Sequence, residues 1–289
     1  MDALSTYIIQ MADDALILGH RNSEWTGHGP ILEQDIALSN IALDLVGQAR
    51  NFYQLAAQRL NAGAFNEGNS LKNNQADYHR KISDHERIIS GHDRTISGEA
   101  VTEDRLAYLR DTHEFRNHLL VELPNGDWAK TILRQFCFSH YQFILFNGLE
   151  KGADRDIAAI AEKSIKETRY HLKWSGEWVL RLGDGTEESH QRMLRAMEDL
   201  NQFIPELFSP ANYETELAGK GQAVSPEAME GEWYQRVNDM FVEAGLPVWQ
   251  AGKKDNLPVS GKNGIHTEHL GHLLAEMQFL QRTYPGSEW

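Results

Sequence analysis

The sequence predicts an all-α chain organised around a four-helix bundle, and three observations carry that expectation. Apolar residues recur three and four apart over long stretches, alternating β-type runs are scarce, and Gly-rich turns feeding strand–helix units are absent.

The first helix is expected from about Leu4 to Arg21. Leu4, Tyr7, Ile8, Met11, Ala15 and Leu18 make one stripe, while Ile9, Leu16 and Ile17 make the opposite side apolar too. A helix apolar nearly all round is buried or covered by a partner. After SEWTGHGP, Pro30 favours a helix start, and no further proline interrupts a second helix from Ile31 to about Leu60. Residues 61 to about 100 then turn rich in Gly, Asn, Ser, His and charge, which predicts an extended insertion at about 64–100, partly disordered or a hairpin. Its Lys81, Arg87 and Arg94 read as a solvated charged segment.

A short helix from Thr102 to about His113 leads to Pro124-Asn125-Gly126-Asp127, which supplies a turn and then an N-cap. The third long helix, Trp128 to Lys151, carries the aromatic block Phe136, Phe138, Tyr141, Phe143 and Phe146. The fourth runs from Asp154 to Leu182 and stops at Gly183-Asp184-Gly185. Two helical hairpins joined by a long connection are the parts of a ferritin-like bundle. Smaller helices are expected at about Glu187–Phe208 and Pro226–Ala244, then a polar loop, AGKKDNLPVSGKNG, and a last helix from His266 to Thr283. The apolar stripe of that helix, including Leu270, Leu273, Leu274 and Met277, needs the bundle to bury it, so one domain over residues 1–289 is expected.

Composition narrows the function. With 28 Lys+Arg against 42 Asp+Glu the chain carries a formal charge of −14, which repels phosphate backbones and anionic lipid, so neither nucleic acid nor membrane is an expected partner. The single cysteine, Cys137, excludes internal disulfides and thiolate metal sites and suits a reducing, cytoplasmic setting. Acids at residues 2, 13 and 14 and the lack of a basic start do not read as a signal peptide. No Walker loop, G-x-S-x-G or dinucleotide fingerprint is present.

Carboxylate–histidine metal chemistry stays open. A dinuclear centre in such a bundle takes one acid from each of two helices and Glu-x-x-His from each of the other two. In the second helix Asn40, Asp44, Gln48 and Asn51 form a polar row, but Gly47 stands where Asp44 needs its histidine partner. In the fourth, Glu167 is followed by Tyr170 at the histidine place and by His171 one residue later. The first helix offers Asp13 and Asp14, and the inner third helix only Ser139 and His140. The expectation is a degenerate metal site at Asp13, Asp14, Asp44, Gly47, Glu167, Tyr170 and His171, replaced by a hydrogen-bonded polar network, with Glu167 paired to Lys or Arg. An active di-metal centre using Asp14, Asp44, Glu167 and His171 is the alternative. A rival zinc set is His266, His269, His272 and Glu276, against solvent-facing or interface histidines as the plainer reading. Cys137, three residues from His140, reads as core packing rather than as a nucleophile.

Four strings go further: LGHRNSEWTGHGPILEQDIALSNIALDLVGQARNFYQLAA, LVELPNGDWAKTILRQF, SIKETRYHLKWSGEWVLRLGDGTEES and GIHTEHLGHLLAEMQFLQR. They closely resemble the C subunits of bacterial phenylacetyl-CoA epoxidases, the multicomponent oxygenases of aerobic phenylacetate degradation, over nearly the whole chain except about 64–100. The resemblance implies a ferritin-like accessory subunit that lacks metal ligands and itself has no catalytic residues or cofactor. It also implies a related A subunit that carries the di-iron centre and binds the acyl-CoA, with electrons supplied by a separate flavin and iron–sulfur reductase using NADPH. In such a hetero-oligomer the metal-free bundle supports the metal-bearing one, and the first and second helices are the expected contact. The insertion departs from the usual family length.

Overall fold

The computed structural model describes residues 1–74, 100–251, 260–284 and 287, with residues 64–74 as backbone. Among these, every regular element is helical. The four long ones are α1 (Ala3–Ser23), α2 (Leu32–Asn74), α5 (Trp128–Leu149) and α6 (Arg155–Gly183). Between α2 and α5 lie α3 (Glu103–Tyr108) and α4 (Leu119–Glu122); after α6 come α7 (Glu187–Asn201), α8 (Ile204–Leu207), α9 (Asn212–Gly219), α10 (Pro226–Glu243), α11 (Glu268–Met277) and α12 (Phe279–Thr283).

Three of the four long helices begin where the sequence supplies an acceptor for the unpaired amides of the first turn. Asp2 accepts from Ser5 N at 2.9 Å, Asp127 from Lys130 N at 3.0 Å, and Asp154 from Ile157 N at 3.1 Å. At the start of α2, Asp35 Oδ2 accepts from Gly27 N and Gly29 N at 2.8 and 3.2 Å and folds the preceding turn onto the helix. Gly27, at φ 83°, takes the left-handed conformation that turn requires.

α1 pairs with α2, α5 pairs with α6, and the hairpins meet where α2 packs on α6. That seam is antiparallel. Gln34 accepts from Trp178 Nε1 (2.7 Å), Asp44 meets His171 (3.1 Å), Gln48 donates to Glu167 (2.9 Å) and Arg59 holds Asp154 (2.7 Å), so rising numbers on α2 face falling numbers on α6. At the other junction Asn22 of α1 donates to Gln135 of α5 at 2.7 Å. The helices after α6 close around this frame, α7 and α10 on α5 and α9 on α1.

Several boundaries differ from expectation. α1 buries sixteen of its 21 residues, including Ile9, Leu16 and Ile17, against its own chain, so it offers no face to a partner. α2 continues to Asn74, past Leu60, so the extended stretch expected from residue 64 is helical as far as residue 74; the remainder, with Lys81, Arg87 and Arg94, lies outside the described residues. The chain returns to α2 at a clasp in which Asn61 and Val101 exchange two hydrogen bonds, both 2.9 Å. The helix from Thr102 stops at Tyr108, with a 3₁₀ turn at Thr112–Glu114. The segment 187–208 divides at residues 202 and 203, α9 appears where no helix was expected, and the last helix breaks at Gln278.

Candidate functional site

The polar centre of the bundle sits on the α2–α6 seam. Asp44 and Gln48 lie one turn apart on α2, and Glu167 and His171 one turn apart on α6, so the two pairs meet as rungs. His171 Nε2 lies 3.1 Å from Asp44 Oδ2, Gln48 Nε2 donates to Glu167 Oε2 at 2.9 Å, and Gln142 of α5 donates to Gln48 Oε1 at 3.4 Å. The inward partner is therefore four residues on, not three. Gly47 and Tyr170, the positions expected to hold the lost histidines, face solvent, Tyr170 being 43 % exposed. Asn40 is exposed as well and leaves the polar row. The expected Lys or Arg partner of Glu167 is replaced by the Gln48 amide.

This set does not fit a dinuclear iron centre, which needs four carboxylates and two imidazoles. Two carboxylates and one imidazole are present; Asp44 and His171 bond each other, and Glu167 is met by the neutral amide of Gln48. Among the described residues no three His, Cys, Asp or Glu side chains converge as a metal site would require. His171 Nδ1, Gln142 Oε1 and Ser164 Oγ are buried without a hydrogen-bond partner among the described residues.

The two acids of α1 serve a different cluster. Asp13, fully buried, forms an ion pair with Arg110 and accepts from Tyr53 Oη at 2.5 Å and Arg116 N at 2.7 Å. Asp14 accepts from His118 N at 2.7 Å and meets His118 Nδ1 at 2.9 Å. Asp14 is thus committed to His118 and is not brought to Asp44, Glu167 and His171. Burial pulls the His118 imidazole down, but the Asp14 carboxylate overrides it and holds the group above its ordinary range. Another buried acid, Glu206, accepts from Leu119 N, Ser260 Oγ and Gly261 N, and burial pushes its pKa up.

The histidines expected as zinc ligands are separated. His266 precedes α11; its Nδ1 meets Glu122 Oε2 at 2.8 Å and its Nε2 meets Phe115 O at 3.0 Å, so both ring nitrogens are occupied. His272 and Glu276 face solvent, and the backbone carbonyl of His269 accepts from Arg21 Nη2 at 3.1 Å. The segment is held on the bundle by buried pairs: Lys262 Nζ donates to Glu214 Oε2 at 2.8 Å, both side chains almost wholly enclosed, and Thr267 N donates to Glu122 Oε1 at 2.6 Å.

Sequence reasoning missed Arg110, His118, Glu122, Glu206, Glu214 and Lys262. They lie in short or irregular segments without periodicity; the available signal was the pair Asp13-Asp14 on an apolar stripe, since buried acids demand cationic partners. Cys137 is fully buried, and burial pushes its thiol well above the ordinary range, in keeping with core packing. Burial, helped by the Arg236 charge, pushes His140 down to about 3, so it is a neutral core group.

Two comparisons bear on this arrangement. The family model described as phenylacetic acid catabolic protein matches residues 1–289. The chain is also 40 % identical over 289 residues, covering 100 % of both proteins, to the C subunit of 1,2-phenylacetyl-CoA epoxidase from Escherichia coli strain K12.

Proposed function

The chain belongs to the phenylacetic acid catabolic protein family, and on that premise we propose that it is the non-catalytic, structural subunit of a multicomponent di-iron oxygenase that epoxidises the ring of phenylacetyl-CoA. In this reading the di-iron centre and the acyl-CoA belong to a related A subunit, electrons come from a reductase, and the assembly works in the cytoplasm as a hetero-oligomer. No described helix is long and apolar enough to cross a membrane.

One observation carries the non-catalytic role. The rung at which a di-iron bundle would need a second carboxylate–histidine pair is closed by the Gln48 amide, bonded to Glu167 at 2.9 Å and to Gln142 at 3.4 Å. Hydrogen bonds of this kind tie α2, α5 and α6 together without a metal, so the bundle keeps its shape unaided. Such a bundle can brace a related one whose centre must stay adaptable during turnover.

The test is elemental analysis of the chain purified alone and with its A subunit. Iron well below one per chain alone, no oxygenase turnover alone, and co-purification with the A subunit are expected. Iron near two per chain, lost in Asp44→Ala and Glu167→Ala and accompanied by turnover, would refute the proposal.

A further inference from the structure

Gln10, Glu214 and Lys262 form a buried trio that joins α1, α9 and the segment before α11. Lys262 is 0 % exposed, and Glu214 and Gln10 are each 1 % exposed. Glu214 is the common member: its Oε2 accepts from Lys262 Nζ at 2.8 Å and from Ala211 N at 2.7 Å, and its Oε1 accepts from Gln10 Nε2 at 3.4 Å. The other end of the Gln10 amide is held by Tyr213, whose Oη donates to Gln10 Oε1 at 2.8 Å. One carboxylate thus holds a primary amine and a carboxamide against itself in a site closed to solvent.

As a clamp the trio is inefficient. Burying two charges loses hydration that their attraction barely returns, and apolar side chains of similar volume hold as well. As a set of reactants it is complete. A lysine amine is a nucleophile once it has lost a proton, and Glu214 is a base within hydrogen-bond reach of it. The Tyr213 hydroxyl donates to the amide oxygen, where negative charge develops when the amide carbon is attacked. Burial, with the Glu214 charge, pushes the Tyr213 pKa well up, so the hydroxyl keeps the proton it donates. Packing around the trio keeps out water, the competing nucleophile.

We propose that the folded chain joins Lys262 Nζ to Gln10 Cδ in an isopeptide bond, with Glu214 as proton carrier and Tyr213 as the donor to the developing oxyanion. Glu214 takes one proton from the Lys262 ammonium, and the neutral amine attacks Gln10 Cδ. The bond from Cδ to Nε2 then breaks. Lys262 Nζ keeps one hydrogen; the other two pass by way of Glu214 to Gln10 Nε2, which leaves as ammonium, and Glu214 is again a carboxylate. The balance closes with ammonium as the by-product. Holding amine, amide and base in one geometry is what makes such a step fast within a single chain. The product ties the middle of α1 covalently to the segment before α11. All four groups belong to this chain, so the bond forms whether or not the subunit reading holds.

The experiment measures the intact mass of the purified full chain in denaturant after incubation in its folded form. A loss of about 17 Da against the sequence mass, that of ammonia, is expected, with a branched peptide joining residues 10 and 262 after digestion. The looped chain should also migrate faster than Lys262→Met on a denaturing gel. Lys262→Met and Gln10→Met should each show their full sequence mass. Tyr213→Phe keeps the ring but not the donor, and should close roughly tenfold more slowly or worse. The full sequence mass in the unaltered chain would overturn the proposal, and this measurement decides it even where a variant fails to fold. A loss of about 18 Da with a branch between residues 214 and 262 would overturn it in favour of direct condensation of Lys262 with Glu214. An undiminished rate of closure in Glu214→Gln would overturn the role of Glu214 as proton carrier.

Discussion

Replacing Arg110 by methionine tests whether the first acid of α1 is structural. Asp13 is fully buried, and its donors are the Arg110 guanidinium, Tyr53 Oη at 2.5 Å and Arg116 N at 2.7 Å. In Arg110→Met only the two neutral donors remain around a carboxylate with no access to water. Breaking a buried pair in this way costs about 3–5 kcal/mol, because the surviving charge is left uncompensated. With a urea m-value of about 3 kcal/mol/M for a chain of this size, the unfolding midpoint should fall by roughly 1–1.7 M at constant m. The double variant Asp13→Leu, Arg110→Met removes both charges and should recover most of the loss, since paired apolar replacements are often neutral. A single-variant loss below about 1 kcal/mol, or a double variant no better than the single, would refute the claim that this ion pair, rather than a metal, accounts for Asp13.

Other outcomes follow from the same contacts. Lys262→Met leaves Glu214 buried with only Ala211 N at 2.7 Å and Gln10 Nε2 at 3.4 Å, so residues 260–282 should lose hydrogen-exchange protection before the bundle does; Glu214→Gln in the same chain should restore part of it. Burial pulls the His266 imidazole down, but Glu122 holds it above the ordinary value, so its stabilisation is present below about pH 6.5 and is lost as pH rises through the raised folded value. Urea midpoints measured from pH 5.5 to 8.5 should therefore decline more steeply for the unaltered chain than for His266→Gln, and parallel profiles would contradict it. Gly47→Ala should stabilise the isolated chain by about 0.5–1 kcal/mol, read as a higher thermal midpoint, because the added methyl meets open space. Cys137, fully buried, should resist a thiol reagent until the chain unfolds.

Periodicity found the four long helices because each buries a stripe or more, and the caps at Asp127 and Asp154 could be placed from their turn residues. It also placed Asp44, Glu167 and His171 near one centre. It misjudged the register by one residue: the Glu-x-x-His template looks three residues ahead, whereas the side chains that meet across this seam are those four ahead, Gln48 and His171. The ionic clusters were hidden for another reason. Glu206 meets Gly261 and Lys262 meets Glu214 across separations of 55 and 48 residues, and nothing in local spacing encodes such pairings. The break at Gln278 has a comparable cause, since its amide donates to Arg110 O, 168 residues away.

The enclosure of α1 bears on how the chain is made. This helix emerges early in synthesis, yet Gln10 finds Glu214 across 204 residues and Arg21 finds the His269 carbonyl across 248. At about 5–20 residues per second, the ribosome takes roughly 10–50 s to supply that last partner. Until residues near 110–135 emerge, a segment apolar on nearly every side is held by α2 alone, and its contacts with Glu214 and His269 come later still. A nascent chain in this condition keeps apolar surface open to non-native contacts, and the late acceptors Glu214 and His269 O complete its enclosure.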